Sequence, residues 1–362
     1  MDLAKEIKKI ITNLTLGSKP IVGIDIGLSS VKMALIEKKG NDYSLVKYAS
    51  AILPEGSIIE DEVQKPEEIV EAIRQVAEEL DMKPLVCTLG VSGPNTLARK
   101  LQLAGGTEEE IEDQVLWEAE QYLPFDIEES KVGFHLIGEN EGGGVDVIVA
   151  AAKNDTILNF KELVEQADGI VKIVDLGILA VTNVFELVMG DDIEEPDQSY
   201  LILDMGAQTT YFIIYKAGVI MFSKEINVGG VIITEEIQRQ MGVNYFEAED
   251  LKTHGDENGN LPEEILEIID DVVETFFSEI KKAIDFYVSS TSDESLVGCA
   301  VTGGSALIPG ILEGLEALLG VDVRVLNPFD AISYKSGDFS EEEINEIAYR
   351  GVQVLGLAMR RL

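Results

Sequence analysis

Apolar and polar positions follow two periods along the 362 residues. Short runs that are continuously apolar or alternate every second residue predict strands: Ile21 to Ile24, Val31 to Ile36, Leu85 to Val91, Tyr200 to Leu203 and Tyr211 to Tyr215. Residues 21 to 52 make a three-strand start. Between such runs the apolar positions recur at helical spacing. Ile69, Val70, Ile73, Val76, Ala77 and Leu80 predict a helix from about Pro66 to Leu80, with Pro66 in the first turn, where a missing N–H is harmless. Ile265, Ile268, Ile269, Val272, Val273, Phe276 and Phe277 predict a long helix from Pro262 to about Ser289. Near the end, Val352, Val354, Leu355 and Leu357 pack inward, and Arg360 and Arg361 suit a helix C-terminus. Strands alternating with helices make this a mixed α/β chain.

From about Thr96 to Asn159 the pattern becomes strand, helix, strand, turn, strand, helix, with Glu141 to Gly144 as a mobile hairpin tip. Its first helix, Glu108 to Tyr122, is capped by Thr107, and Glu110 completes a capping box. Ile111, Val115, Ala119 and Tyr122 form its inward stripe, and Trp117 points away from it. Trp117 either packs between this subdomain and the rest of its lobe, the favoured placement, or forms an interaction surface; either way it is expected near a groove between subdomains. The first 17 residues carry another helical stripe, Ile7, Ile10, Ile11 and Leu14, with Lys5, Lys8 and Lys9 mostly elsewhere. Packing on its own domain, docking on a protein partner and lying on a membrane surface are all open to it, with protein contact favoured.

The chemistry concentrates in two stretches that say nearly the same thing, Asp25-Ile-Gly-Leu-Ser-Ser and Asp204-Met-Gly-Ala-Gln-Thr-Thr, each at the end of an apolar strand that enters a hairpin. A Gly-containing turn followed by hydroxyl residues lets backbone amides cradle an anion, and the Asp faces the same place. An Asp beside phosphates is repulsive unless a cation intervenes. Two such carboxylates therefore imply a hydrated divalent metal, for which Mg²⁺ with one or two carboxylates and phosphate oxygens is the best match. The repeats lie a domain's length apart, which suggests a duplicated fold. A third element, Cys299-Ala-Val-Thr-Gly-Gly-Ser-Ala-Leu-Ile-Pro-Gly310, enters a Gly-Gly turn that an adenine ring could approach.

The order of the three elements resembles the ATPase fold shared by actin, heat-shock chaperones, sugar kinases and the division protein FtsA, a duplicated actin-like (ribonuclease H-like) α/β fold of two lobes around a nucleotide cleft. The resemblance places Gly27, Ser29, Ser30 and the phosphate-contacting Lys32 at the first turn, and Gly206, Ala207, Gln208 and Thr209 at the second. It places Glu249 and Lys252 at ribose and adenine, with Gly303, Gly304 and Ser305 in the adenosine turn. Asp25 and Asp204 become the metal-facing, catalytic carboxylates, and Asp175 the water-orienting or metal-facing residue at the crossover between lobes; a helix N-cap would account for Asp175 equally. Glu249 and Lys252 would, without the flanking motifs, read as a surface ion pair. Gly229 and Gly230 precede a helix whose Thr234 and Glu235 face solvent or phosphate.

Within that superfamily the chain is most similar, over residues 20 to 362, to the PilM family of type IV pilus assembly, through Trp117-Glu-Ala-Glu-Gln-Tyr-Leu-Pro-Phe125, Asp25-Ile-Gly-Leu-Ser-Ser-Val-Lys32 and Gly356-Leu-Ala-Met-Arg360. The resemblance implies an N-terminal segment 1–19, a first lobe beginning with 20–95, an inserted subdomain of the FtsA and PilM type at 96–169, a second lobe at 170–340 and a closing helix at 341–362. It implies bound ATP and Mg²⁺ with slow hydrolysis, which Gly206-Ala207-Gln208, in place of a glycine run, leaves less secure than binding. The implied partners are the cytoplasmic tail of a PilN-like inner-membrane protein, seated in the groove between subdomains, other pilus assembly proteins, and further copies in a ring or filament.

Composition limits the alternatives. A formal charge of −39 excludes nucleic acid as a partner and opposes unaided binding to an anionic bilayer. Cys87 and Cys299 sit in apolar runs and read as buried free thiols. No apolar run reaches the ~18 residues of a membrane span, so a cytoplasmic location is expected, peripheral to the inner membrane through partners. His135 and His254 are too far apart to suggest a metal or a triad. An actin-fold phosphotransferase would need an acceptor motif that the chain does not show. An FtsA-like division protein would carry a C-terminal membrane helix, whereas this sequence ends in Arg-Arg-Leu.

Overall fold

The computed structural model describes residues 21–59, 62–140, 142–190, 193, 195, 198–254, 260–291, 293 and 296–362. The segment expected at 1–19 and Glu141 of the expected hairpin tip lie outside them. The strands are β1 (Val22–Ile26), β2 (Ser30–Lys39), β3 (Asp42–Ile52), the short pair β4 (Ile58–Ile59) and β5 (Glu62–Val63), β6 (Val86–Val91), β7 (Thr96–Leu103), β8 (Ser130–Glu139), β9 (Val145–Lys153), β10 (Ile170–Leu176), β11 (Ser199–Met205), β12 (Thr210–Lys216), β13 (Val219–Ile226), β14 (Leu296–Thr302), β15 (Asp322–Val325) and β16 (Ile332–Tyr334). The helices are α1 (Pro66–Glu79), α2 (Glu108–Glu120), α3 (Asn154–Gln166), α4 (Gly177–Met189), α5 (Val231–Met241), α6 (Tyr245–His254), α7 (Glu263–Thr291), α8 (Ile311–Leu319), α9 (Glu341–Arg350) and α10 (Val352–Ala358).

Two sheets repeat one plan. In the first the strand order is β10-β6-β1-β2-β3-β16, and in the second β15-β14-β11-β12-β13. Each centres on a strand, β1 or β11, that pairs antiparallel with the next strand and parallel with a later one. Both central strands are buried along most of their length, which is why they read as near-continuous apolar runs. The Asp stands at the penultimate residue of each, with Asp25 opposite Lys32 and Asp204 opposite Tyr211. The duplication inferred from two short motifs is thus the plan of the whole molecule.

The sheets do not divide where a second lobe beginning at residue 170 puts the boundary. β10 pairs parallel with β6 in the first sheet, and α4 packs on α10 beside it. The chain enters the second sheet at β11 and returns to the first through β16, which pairs parallel with β3. Parallel strands need a crossover, which α3 supplies between β6 and β10, and strand composition does not reveal which sheet such a crossover rejoins. The C-terminal return is tight: a Cβ on Gly356 would lie 2.1 Å from the Ala180 carbonyl oxygen, and one on Gly23 would lie 2.5 Å from that of Val354. Small residues let α10 cross α4 and β1 at backbone contact.

The inserted subdomain is a three-stranded sheet, β7-β9-β8, with α2 on one face. Thr107 and Glu110 form the expected capping box. Ile111, Val115 and Ala119 pack with Leu101, Leu103, Val147 and Val149. Period-2 alternation turns Ile148 and Ala150 to the opposite face, against the first lobe. Trp117 does not pack between subdomain and lobe. It is 65% exposed on the outer side of α2, and Tyr122, beyond the helix end, is also exposed, with the Arg99 guanidinium 3.7 Å from its ring centre.

Candidate functional site

The two Asp-x-Gly turns close in the same way. Gly27 N–H donates to the Ser30 carbonyl at 3.0 Å, and Gly206 N–H donates to that of Thr209 at 2.9 Å. They face one another across a cleft of about 720 Å³, within the range of small-molecule sites. Asp25, Gly27, Ser29, Ser30 and Lys32 line it from the first lobe; Asp204, Gly206, Ala207, Thr209 and Lys252 line it from the second, and Gly303, Gly304 and Ser305 complete that side.

The third turn is locked onto the second hairpin. Ser305 Oγ donates to the Gly206 carbonyl at 2.7 Å. Gly303 has φ +91°, and a Cβ there would meet the Met205 carbonyl oxygen at 2.3 Å, so both conformation and space require glycine. Gly303 N–H and Thr302 Oγ1 both donate to the Tyr349 carbonyl, at 3.0 and 3.1 Å, which ties the turn to the end of α9.

The carboxylates are unequally compensated. Asp25 is 6% exposed; Lys32 Nζ lies 3.1 Å from its Oδ2, and Gln353 Nε2 donates to its Oδ1 at 2.7 Å. Lys32 therefore serves Asp25 directly, while still lining the cleft. Burial first, and then the charge of Asp25, push Asp204 up to about 6 against the opposing pull of Lys32. Ionised Asp204 is thus disfavoured by burial and by the neighbouring charge of Asp25, and a cation beside it would relieve both.

Glu249 and Lys252 are no surface ion pair. Lys252 Nζ donates to Glu249 Oε2 at 2.6 Å, to Thr234 Oγ1 at 2.8 Å and to the Gly230 carbonyl at 3.2 Å, and Thr234 Oγ1 donates to Glu249 Oε2 at 2.6 Å. Burial lowers the Lys252 ammonium's pKa despite Glu249. Thr234, expected to face solvent or phosphate, is completely buried as the hub of this network. Lys252 reaches the cleft; Glu249 and Gln208 are not among its lining residues.

Asp175 is placed elsewhere. Its Oδ2 accepts from Arg360 Nε and its Oδ1 from the Leu176 amide, so the last residues of the chain neutralise it outside the cleft. Position at a strand end beside the crossover helix did not reveal that partner. Sequence reading also missed Ser92, Tyr349, Arg350 and Gln353 among the lining residues. Gln353 alone left a signal, as a single polar side chain within the apolar run of α10.

A second groove, of about 600 Å³, runs between the insert and α4. His135, Ile137, Ile148 and Ala150 line one wall and Leu179, Asn183 and Glu186 the other, with Ile220 and Arg360 at its border. Trp117 does not line it, because α2 covers the other face of the insert's sheet. Among the described residues, no group of three or more His, Cys, Asp and Glu could hold a metal, and no helix is long and apolar enough to cross a membrane. Cys87 and Cys299 are buried free thiols; burial pushes Cys87 up to about 12 and Cys299 further.

A duplicated sheet with an insert in its first half and a cleft between the halves can be compared with known proteins. The model of the family described as type IV pilus assembly protein PilM matches residues 23–362. The chain belongs to this family. Among solved structures, it is similar to a PilM-PilN type IV pilus biogenesis complex, with 26% identity and a TM-score of 0.81 over 95% of this chain and 98% of the other. It is similar in fold to the ethanolamine utilization protein EutJ from Carboxydothermus hydrogenoformans, at 16% identity and a TM-score of 0.56 over 95% and 90% of the two chains. The cell division protein FtsA of Enterococcus hirae is 23% identical over 355 residues, 85% of this chain and 78% of the relative. The fold of this PilM-family chain is the actin-like ATPase fold.

Proposed function

We propose that this chain is an ATP-binding actin-like scaffold of the type IV pilus assembly complex, held at the cytoplasmic face of the inner membrane by the tail of a PilN-like membrane protein. The observation that carries the nucleotide half is the convergence of two similarly closed Gly turns, two aspartates and a Gly-Gly-Ser turn on one cleft. The donor set fits a magnesium nucleotide: two carboxylates for a cation that keeps most of its waters, backbone amides at both hairpins for phosphates, and Lys252 beside an open glycine turn for the nucleoside. Mg²⁺, when bound, would supply positive charge to offset Asp25, Asp204 and the phosphates. The residues of the chain then orient the nucleotide between the lobes, and its contribution to assembly is a preference for one lobe angle over another.

The partner half of the reading is supported by membership of the PilM family and by the likeness to the PilM-PilN complex. The groove between β8 and α4 is the place we assign to the membrane protein's tail. It offers apolar walls, a hydrogen-bonding Asn183, the Glu186 carboxylate and the Arg360 guanidinium, which is also paired with Asp175.

Titration of the purified chain with a fluorescent ATP analogue tests the first half. Asp25→Ala and Asp204→Ala are expected to lose magnesium-dependent binding; binding equal to the parent's would refute the site. For the second half, a peptide of the PilN-like tail is expected to raise the Tm of the parent and of Trp117→Ala alike, and to leave that of Leu179→Trp unchanged. A peptide effect lost with Trp117 and kept with Leu179→Trp would move the partner to α2.

A further inference from the structure

α10 is apolar apart from Gln353, and its other side chains pack into the first lobe. Gln353 is half-buried, where an amide is unfavourable unless it is paired, and it spends its N–H on Asp25 Oδ1 at 2.7 Å while Lys32 holds the other carboxylate oxygen at 3.1 Å. Asp25 is thereby fixed from both sides, whereas Asp204 has no comparable clamp among the contacts of the described residues. At the end of β6, Ser92 also lines the cleft, and its hydroxyl is buried without a hydrogen-bond partner. The same point brings Ser92 and Gln353 together: a Cβ on Gly177 would lie 2.2 Å from Ser92 Oγ and 2.5 Å from Gln353 Oε1. A buried, unpaired hydroxyl near an amide oxygen, in the wall of a cleft with two carboxylates, is suited to a water that belongs to a ligand's shell.

We propose that Gln353 is the positioning residue of the metal-bearing carboxylate. It fixes Asp25 for a divalent cation, and Ser92 Oγ beside it offers a hydrogen bond to a water of that cation's shell. The role rests on the nucleotide reading above. It also replaces the one expected of Asp175, which is spent on Arg360.

The test measures Mn²⁺ affinity by electron paramagnetic resonance on the full chain in the presence of ATP, and ATP-analogue affinity in EDTA. Outer-shell partners of metal ligands typically change metal affinity by about 10- to 100-fold. Gln353→Leu, close in volume, is expected to weaken Mn²⁺ by that factor while EDTA binding stays within about twofold, and Ser92→Ala to weaken Mn²⁺ by a smaller factor in the same selective way. In an Asp25→Asn background the effect of Gln353→Leu on nucleotide affinity in Mn²⁺ should vanish, because a residue that acts only through Asp25 has nothing left to position. Equal losses with and without metal, or a Gln353→Leu effect that persists beside Asp25→Asn, would assign Gln353 to packing and overturn the inference alone. A parent chain that binds no nucleotide under either condition overturns the cleft reading and this inference with it.

Discussion

At the scale of single residues, the cleft depends on positions where side-chain chemistry and backbone geometry are both constrained. Gly303 combines positive φ with a carbonyl oxygen where its Cβ would stand. Gly303→Ala is expected to cost about 1–3 kcal/mol, read as a lower urea midpoint at unchanged m-value, and to weaken ATP-analogue binding. The motif residues that reach the cleft were legible because their types, acid and glycine at a strand end, are what an anion site with a metal requires. Asp175 was misplaced and Gln353 missed for one reason: each is defined by a partner far away in the chain, Arg360 for the first and Asp25 for the second. A one-dimensional pattern carries no record of such partners. Thr234 shows the same limit, since its burial follows from the packing of α5 on α6.

At the scale of elements, α2 separates what periodicity predicts from what it leaves open. The capping box and the stripe of Ile111, Val115 and Ala119 follow from sequence spacing alone. Where the off-stripe Trp117 goes depends on what covers that side of the helix, and among the described residues it is largely exposed. As the chain's single tryptophan it reports directly: its fluorescence should be quenched by the neutral quencher acrylamide in the native protein nearly as well as in urea. Trp117→Ala is expected to change stability by less than about 0.5 kcal/mol, whereas Ile111→Ala, on the buried stripe, should cost about 2–5 kcal/mol. Thr107→Ala removes half of the capping box and should cost about 1 kcal/mol. Denaturant titrations of the three variants check these values, and a Trp117→Ala loss as large as that of Ile111→Ala would place the indole in a packed interface.

At the scale of the molecule, two repeated sheets face each other across the cleft, and the chain crosses between them and returns. A ligand that bridges the lobes stabilises the folded protein by mass action, about 2.7 kcal/mol at a hundred times its Kd. ATP with Mg²⁺ is therefore expected to raise the Tm, and EDTA to remove most of the rise, because the phosphates then meet the two aspartates with only Lys32 among the described residues, on Asp25, to offset them. An unchanged Tm at saturating MgATP would count against a bridging site. By itself the sequence determined the local events: where strands and helices run, which turns demand glycine, which carboxylates stand at strand ends, and, through the repetition of one motif, that the fold is doubled. Those features are set by spacing and residue type within a few turns of chain. Only the tertiary structure decided that β10 and β16 join the first sheet, that Asp175 turns to Arg360, that Gln353 comes back from the last helix to hold Asp25, and that the insert's groove and Trp117 lie on opposite faces. Each of these is a contact between segments distant in sequence, chosen by the packing of whole elements, and no local pattern encodes such a choice.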